Sequence, residues 1–180
     1  ESRDEKRPYC SMICCMQAIK NALKIKELNS RAEVFILYRD LMTYGFKEKF
    51  YKDAREKGVM FLQYDPEKKP EVETKNGLIV KVHEPMIGEL LKIPADHLIL
   101  STGLQPNPDN PAIGKLLKVP VNDDGFFLEA HVKLRPVDFS TRGVYVAGNC
   151  HVPKFINESI YQAQAAAARA ATILCKPTLK

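Results

Sequence analysis

No G-x-G-x-x-G occurs anywhere in this chain of 180 residues. That removes the glycine cradle in which a helix N-terminus holds a dinucleotide pyrophosphate. No apolar run approaches the roughly 18–20 residues that span a bilayer. The highly charged opening, residues 1–7, lacks the apolar core of a signal peptide. Neither sign of charge dominates: 27 Lys and Arg are scattered among 22 Asp and Glu, for a net charge of +5. This pattern describes solvated faces rather than a nucleic-acid patch. There is no internal repeat and no low-complexity linker. Five cysteines are an odd number, three of them crowded near the start, which does not suit a secreted disulfide scaffold. A reducing cytoplasm is expected. With 45% hydrophobic residues the chain can bury a core unaided, as one large domain or two small ones. It opens on Glu1 rather than Met, which suits either processing or a piece cut from something longer.

What is present is concentrated in Cys10-Ser11-Met12-Ile13-Cys14-Cys15. Thiolate sulfur is a soft donor suited to iron–sulfur clusters, zinc and copper(I). Three thiols in six residues favour ligands. The alternative, that they are small buried residues, stays open.

Residues 12–28 place Ile13, Met16, Ile19, Ala22 and Leu23 at helical spacing. Residues 33–38 predict a buried parallel strand, 46–57 a helix stopped by Gly58, and 59–64 another strand. This helix, strand, helix, strand order is the rhythm of a parallel α/β sheet. Residues 72–82 predict a hairpin around Asn76-Gly77 with a tight type I′ turn, and a third strand follows at 89–93. Residues 97–101 predict a buried strand ending at Thr102-Gly103, 112–118 a short helix, and 144–147 a strand running into Gly148. An irregular stretch lies between these last two. An Ala-rich helix closes the chain at about 158–174.

Two strand-to-glycine turns, Leu98-Ile99-Leu100-Ser101-Thr102-Gly103 and Val144-Tyr145-Val146-Ala147-Gly148-Asn149, precede that helix. In this order they resemble the closing FAD-binding segment of the flavoprotein disulfide reductases, such as thioredoxin reductase. The resemblance implies FAD contacts at Thr102, Gly103, Gly148, Asn149, Gln162 and Ala163. Asn149 departs from the acid that usually meets the ribityl chain. The first half resembles the NAD(P)-binding domain of the same superfamily, with the glycine turn replaced by the cysteines and Tyr38-Arg39-Asp40 at the ribose position. Nicotinamide binding there is not expected.

The match is closer to the A-type subunit of heterodisulfide reductase and its relatives. It is carried by Cys-Ser-x-x-Cys-Cys-Met-x-Ala-Ile-Lys from Cys10 to Lys20, by residues 125–137 and by Pro153-Lys154-Phe155-Ile156-Asn157-Glu158-Ser159. That family is cytoplasmic and anaerobic, carries FAD and [4Fe–4S] clusters, and serves methanogenesis. The resemblance implies cluster ligation by Cys10, Cys14 and Cys15, with a fourth ligand off this chain. It also implies other heterodisulfide-reductase-type subunits as partners, and a homodimer. Lys20, about one and a half turns beyond Cys15, is a candidate cation for stabilising reduced flavin, with a solvated surface lysine as the open alternative. The fold the resemblance implies is α/β and thioredoxin-reductase-like. Residues 1–98 would form a remodelled nucleotide-binding-like domain with a β-meander, and 99–180 the C-terminal part of an FAD-binding domain.

The function expected is that of an electron-transfer oxidoreductase component moving electrons between FAD and a [4Fe–4S] cluster. The isolated piece is expected to be inactive. Two alternatives stay open: an NAD(P)H-dependent flavoprotein disulfide reductase, and a non-catalytic dimerisation or docking module. Lys154 and Cys150 are secondary candidates beside the flavin. Glu129, Arg135 and Cys175 are expected to be structural, and His131 and His151 to stand alone.

Overall fold

The computed structural model describes residues 2–175. The chain divides into two compact units, one of Ser2 with residues 14–102, the other of residues 3–13 with 103–175.

In the first unit, helix α1 (Cys14–Leu28) is followed by strand β1 (Val34–Tyr38). A 3-10 turn (Gly45–Lys47) then leads into α2 (Glu48–Glu56) and strand β2 (Val59–Gln63). The two strands pair in parallel, Val34 opposite Val59 and Tyr38 opposite Gln63, as the alternation of elements requires. Ile19 and Ala22 from one stripe of α1 meet Ala54 of α2 and Val59 of β2 in the core. Tyr51 packs edge-on to Phe61, ring centroids 4.7 Å apart. Gly58 ends α2 at φ +77°, a conformation that costs glycine little.

An antiparallel meander follows: β3 (Glu71–Glu73), β4 (Leu78–Glu84) and β5 (Glu89–Ala95). The expected hairpin forms, but not through a two-residue type I′ turn. Glu73 pairs with Ile79, so five residues make the connection, and only Gly77 of the Asn-Gly pair has positive φ.

Residues 97–101 form no strand. Leu98, Ile99 and Leu100 are 42%, 69% and 75% exposed. A strand needs a neighbouring ladder, and no described segment supplies one.

In the second unit, α3 (Asn110–Leu117) is followed by irregular chain held by isolated bridges, Val121 to Phe127, His131 to Arg135 and Asp138 to Tyr145. Val119, Phe127, Phe139 and Val146 form its core. The strand expected at 144–147 is reduced to the single Asp138–Tyr145 bridge for the same want of a ladder. The closing helix α4 (Ile156–Leu174) starts two residues earlier than its sequence pattern predicts. The Glu158 carboxylate accepts the Phe155 N–H at 2.7 Å, which satisfies a donor at its first turn. Among the described residues no helix is long and apolar enough to cross a membrane.

Candidate functional site

The turn before α1 is pinned by its neighbours in the second unit. The Tyr9 hydroxyl donates to the Leu104 carbonyl at 3.1 Å, and the Tyr9 ring stands edge-on to Phe126, centroids 5.1 Å apart. The buried Ser11 hydroxyl accepts the Leu104 N–H at 3.0 Å. Between these anchors the Ile13 N–H closes on the Ser11 carbonyl at 2.6 Å, a γ-turn centred on Met12 at φ +57°. A γ-turn of this hand is rare and strained for a residue with a side chain. Met12 also donates its N–H to Cys10 Sγ at 3.3 Å.

The other two thiols open α1 in the first unit, and both are buried. Cys15 Sγ accepts the Met42 N–H at 3.5 Å and its S–H donates to the Asp40 carbonyl at 3.8 Å. Cys14 Sγ accepts from the Ser2 hydroxyl at 3.6 Å, and the Ser101 hydroxyl donates to the Cys14 carbonyl at 3.0 Å. The adjoining Cys14 thiol and burial push the Cys15 thiol well above its ordinary value. A bound cation would reverse that preference, since coordination deprotonates thiols outright.

Taken as donors, the three cysteines suit soft-metal chemistry. Each sulfur accepts an N–H or O–H, the contact that tunes cluster thiolates. Taken as a set they are incomplete. Among the described residues no group of three or more His, Cys, Asp and Glu side chains is arranged to hold a metal ion.

The second candidate region is the glycine turn of the second unit, a 3-10 turn (Gly148–Cys150) with Gly148 at φ +82°. Here the structure gathers more than the sequence suggests. Gln162, on the second turn of α4, accepts the Gly148 N–H at 2.9 Å through Oε1. Lys154 Nζ donates to the same oxygen at 2.7 Å. His151 does not stand alone: its ring meets Glu129 at 2.6 Å, Gln162 at 2.7 Å and Lys154 at 3.2 Å. Asn149 Oδ1 accepts the Lys154 N–H at 3.1 Å, so the atom expected to face a ribityl chain is engaged within the loop. Burial is the largest influence on Glu129 and opposes its charge, but the His151 hydrogen bond, a backbone hydrogen bond and the neighbouring His151 and Lys154 together outweigh it and leave the carboxyl below its ordinary value. Burial lowers Lys154.

The remaining candidates are not drawn into either cluster. Lys20 is exposed on α1, and Ala163 is exposed on α4. Thr102 and Gly103 are exposed in irregular chain after β5. His131 closes a local turn, its Nδ1 accepting the Lys133 and Leu134 N–H groups. Cys150 and Cys175 are exposed. An open cleft of about 510 Å³ lies at the carboxyl ends of β1 and β2, lined by Arg39, Asp40, Gln63 and Tyr64 among others. That is the edge at which open α/β sheets present ligand sites.

No family model matches the chain. Curated relatives do. The A-type iron–sulfur subunit of CoB–CoM heterodisulfide reductase from Methanocaldococcus jannaschii is 44% identical over 171 residues, 92% of this chain and 26% of that protein. The A-type subunit of the H2/formate:CoB–CoM heterodisulfide,ferredoxin reductase from Methanococcus maripaludis is 42% identical over 94% of this chain and 26% of its own length. The chain thus spans about a quarter of these relatives. Among solved structures, thioredoxin reductase from T. acidophilum aligns with TM-score 0.58 and 17% identity, over 90% of this chain and 49% of the other. The α/β, thioredoxin-reductase-like fold expected from the sequence is therefore the fold observed.

Proposed function

We propose that this chain, a homologue of one quarter-length stretch of the A-type heterodisulfide reductase subunit, is the part of such an oxidoreductase that handles both FAD and a [4Fe–4S] cluster. The bound groups would supply the electron carriers, flavin and iron–sulfur. Cys10, Cys14 and Cys15 would hold the cluster as thiolates, with a further ligand from outside this chain. FAD is assigned to Thr102, Gly103, Gly148, Asn149, Gln162 and Ala163, and Lys20 is assigned as a cation favouring reduced flavin. The partners we assign are other heterodisulfide-reductase-type subunits and a second copy of the chain. The compartment is the cytoplasm.

The observation that carries this reading is the run of three thiols, Cys10, Cys14 and Cys15, at and just before the start of α1 in a sequence that has no glycine fingerprint. Its sulfurs take hydrogen bonds from Met12 N–H, Ser2 Oγ and Met42 N–H. The protein's own part is to pin the turn before α1 through Tyr9 and Ser11 and to seal Cys14 and Cys15 from water. The glycine turn supports the flavin assignment in a second way. Gln162 and Lys154 are fixed against Gly148, so any ligand there meets an ordered wall.

Purification of the full-length polypeptide under anaerobic conditions, with flavin, iron and acid-labile sulfide measured per chain, tests the reading. Both cofactors are expected, with iron and sulfide reduced by serine at Cys10, Cys14 or Cys15. A colourless protein would favour a docking module.

A further inference from the structure

The cluster around Gly148 has a direction that its geometry fixes. A backbone N–H and a lysine ammonium can only donate. Gly148 N–H and Lys154 Nζ both end on Gln162 Oε1, at 2.9 and 2.7 Å. The amide orientation follows: Oε1 accepts, so Nε2 donates, and Nε2 lies 2.7 Å from His151 Nδ1. Nδ1 is therefore a bare acceptor. The imidazole proton sits on Nε2, 2.6 Å from Glu129 Oε2. Lys154 Nζ, 3.2 Å from Nδ1, adds a second donor to the same nitrogen.

We propose that His151 is a positioning residue for the glycine turn: as the neutral Nε2–H tautomer it locks Gln162 in the one orientation that gives Gly148 N–H and Lys154 a shared acceptor. A proton on Nδ1 would face an amide NH2 and an ammonium with no acceptor between them. Gln162 would then have to turn its amide over. Oε1 would leave Gly148, and Lys154 would lose its hold. On the other side of the ring the Glu129 carboxylate accepts the Nε2 proton at 2.6 Å. The charged and titratable groups facing His151 are Glu129 and Lys154, with Cys150 and Glu158 acting on Lys154 from the turn and from α4. Glu129 and His151 are 22 residues apart and both largely buried. The consequence for a cofactor rests on the reading of this turn as a flavin contact; the coupling itself does not.

The test uses the chain labelled with nitrogen-15. Histidine ring shifts are expected to report the Nε2–H tautomer for His151. On acidification from about pH 8 to about pH 5, where imidazole side chains change charge, the Gly148 amide is expected to move with the same midpoint as the His151 ring. In His151→Gln an amide keeps an acceptor toward Gln162 and a donor toward Glu129 but cannot be protonated. There the Gly148 amide should stay near its neutral-pH position throughout. In His151→Leu it should be displaced at every pH. An Nδ1–H tautomer, or a Gly148 amide that titrates alike in wild type and His151→Gln, would overturn the proposal. FAD affinity is measured on the full-length polypeptide carrying the same substitutions. Absence of FAD binding there at any pH would remove the flavin reading and leave the spectroscopic outcome to decide the coupling.

Discussion

Arg169 of α4 holds the buried carboxylate of Asp138 in a fork: Nε reaches both carboxylate oxygens and Nη2 reaches Oδ1, each at 3.1 Å. The pair joins the closing helix to the one bridge that remains of the strand expected at 144–147. Neither residue stands out in the sequence.

That fork makes a first prediction. Arg169→Met leaves the buried Asp138 carboxylate with the longer Arg135 ion pair, at 3.7 Å, in place of the fork, so the thermal midpoint of the second unit should fall. Arg169→Lys keeps the charge but not the planar fork, and should recover only part of the loss. Circular dichroism melts check this; equal midpoints in all three proteins would mean the fork contributes nothing.

Met12 carries positive φ at the centre of the sulfur-rich turn. A side chain in that region costs on the order of 1 kcal/mol relative to glycine. Met12→Gly should therefore be more stable than Met12→Ala by about 1 kcal/mol. Urea unfolding midpoints of the two variants measure the difference directly. A glycine variant no more stable than the alanine variant would mean the turn is unstrained.

Each unit also has a position where its own packing can be tested. Ile19 is fully buried between α1, α2 and β2. Its truncation to Ala should cost about 3 kcal/mol in the first unit. At Gly114 of α3 an added methyl would meet Val121 Cγ2 at 2.9 Å and the Val119 carbonyl at 3.0 Å. Gly114→Ala should cost about 1–3 kcal/mol, read from the second unit. Proteolysis or hydrogen exchange resolved by unit shows which one each change weakens.

Lys154 gives a pH prediction. Burial holds it below the ordinary lysine value of 10.5. Over the interval between that depressed value and 10.5, the unfolded chain keeps a proton that the folded chain has released. Stability therefore rises with pH across this interval. Lys154→Met removes the effect. From about pH 8 to about pH 11, the wild type should gain stability relative to the variant in urea titrations. A constant difference across that range would contradict the assignment.

The sequence is most informative where periodicity and local chemistry decide the outcome. The stripe of Ile19 and Ala22 marks α1, the stop at Gly58 marks the end of α2, and the parallel pairing of β1 with β2 follows from their alternation with helices. It misleads where a strand depends on partners. Residues 98–100 and 144–147 have the composition of buried strands, but a strand is a pairwise object and none of the described segments forms a ladder with them. The Asn76-Gly77 signal marks the hairpin correctly and the turn type incorrectly, because the register of β3 on β4 sets the loop length. Of the site, the three cysteines are visible as a run. The Glu129–His151–Gln162 network is not, since contacts across 22 and 11 residues leave no local spacing to detect.

The account turns on whether the sulfur-rich turn takes iron. The decisive measurement is anaerobic reconstitution with iron and sulfide, with bound iron and acid-labile sulfide counted per chain in wild type and in Cys14→Ser. Uptake of about four iron and four sulfide per cluster by the wild type, as a [4Fe–4S] centre requires, with a large loss in Cys14→Ser, is the predicted result. Equal uptake by both proteins, or none by a wild type supplied with a thiol as the remaining ligand, would contradict it.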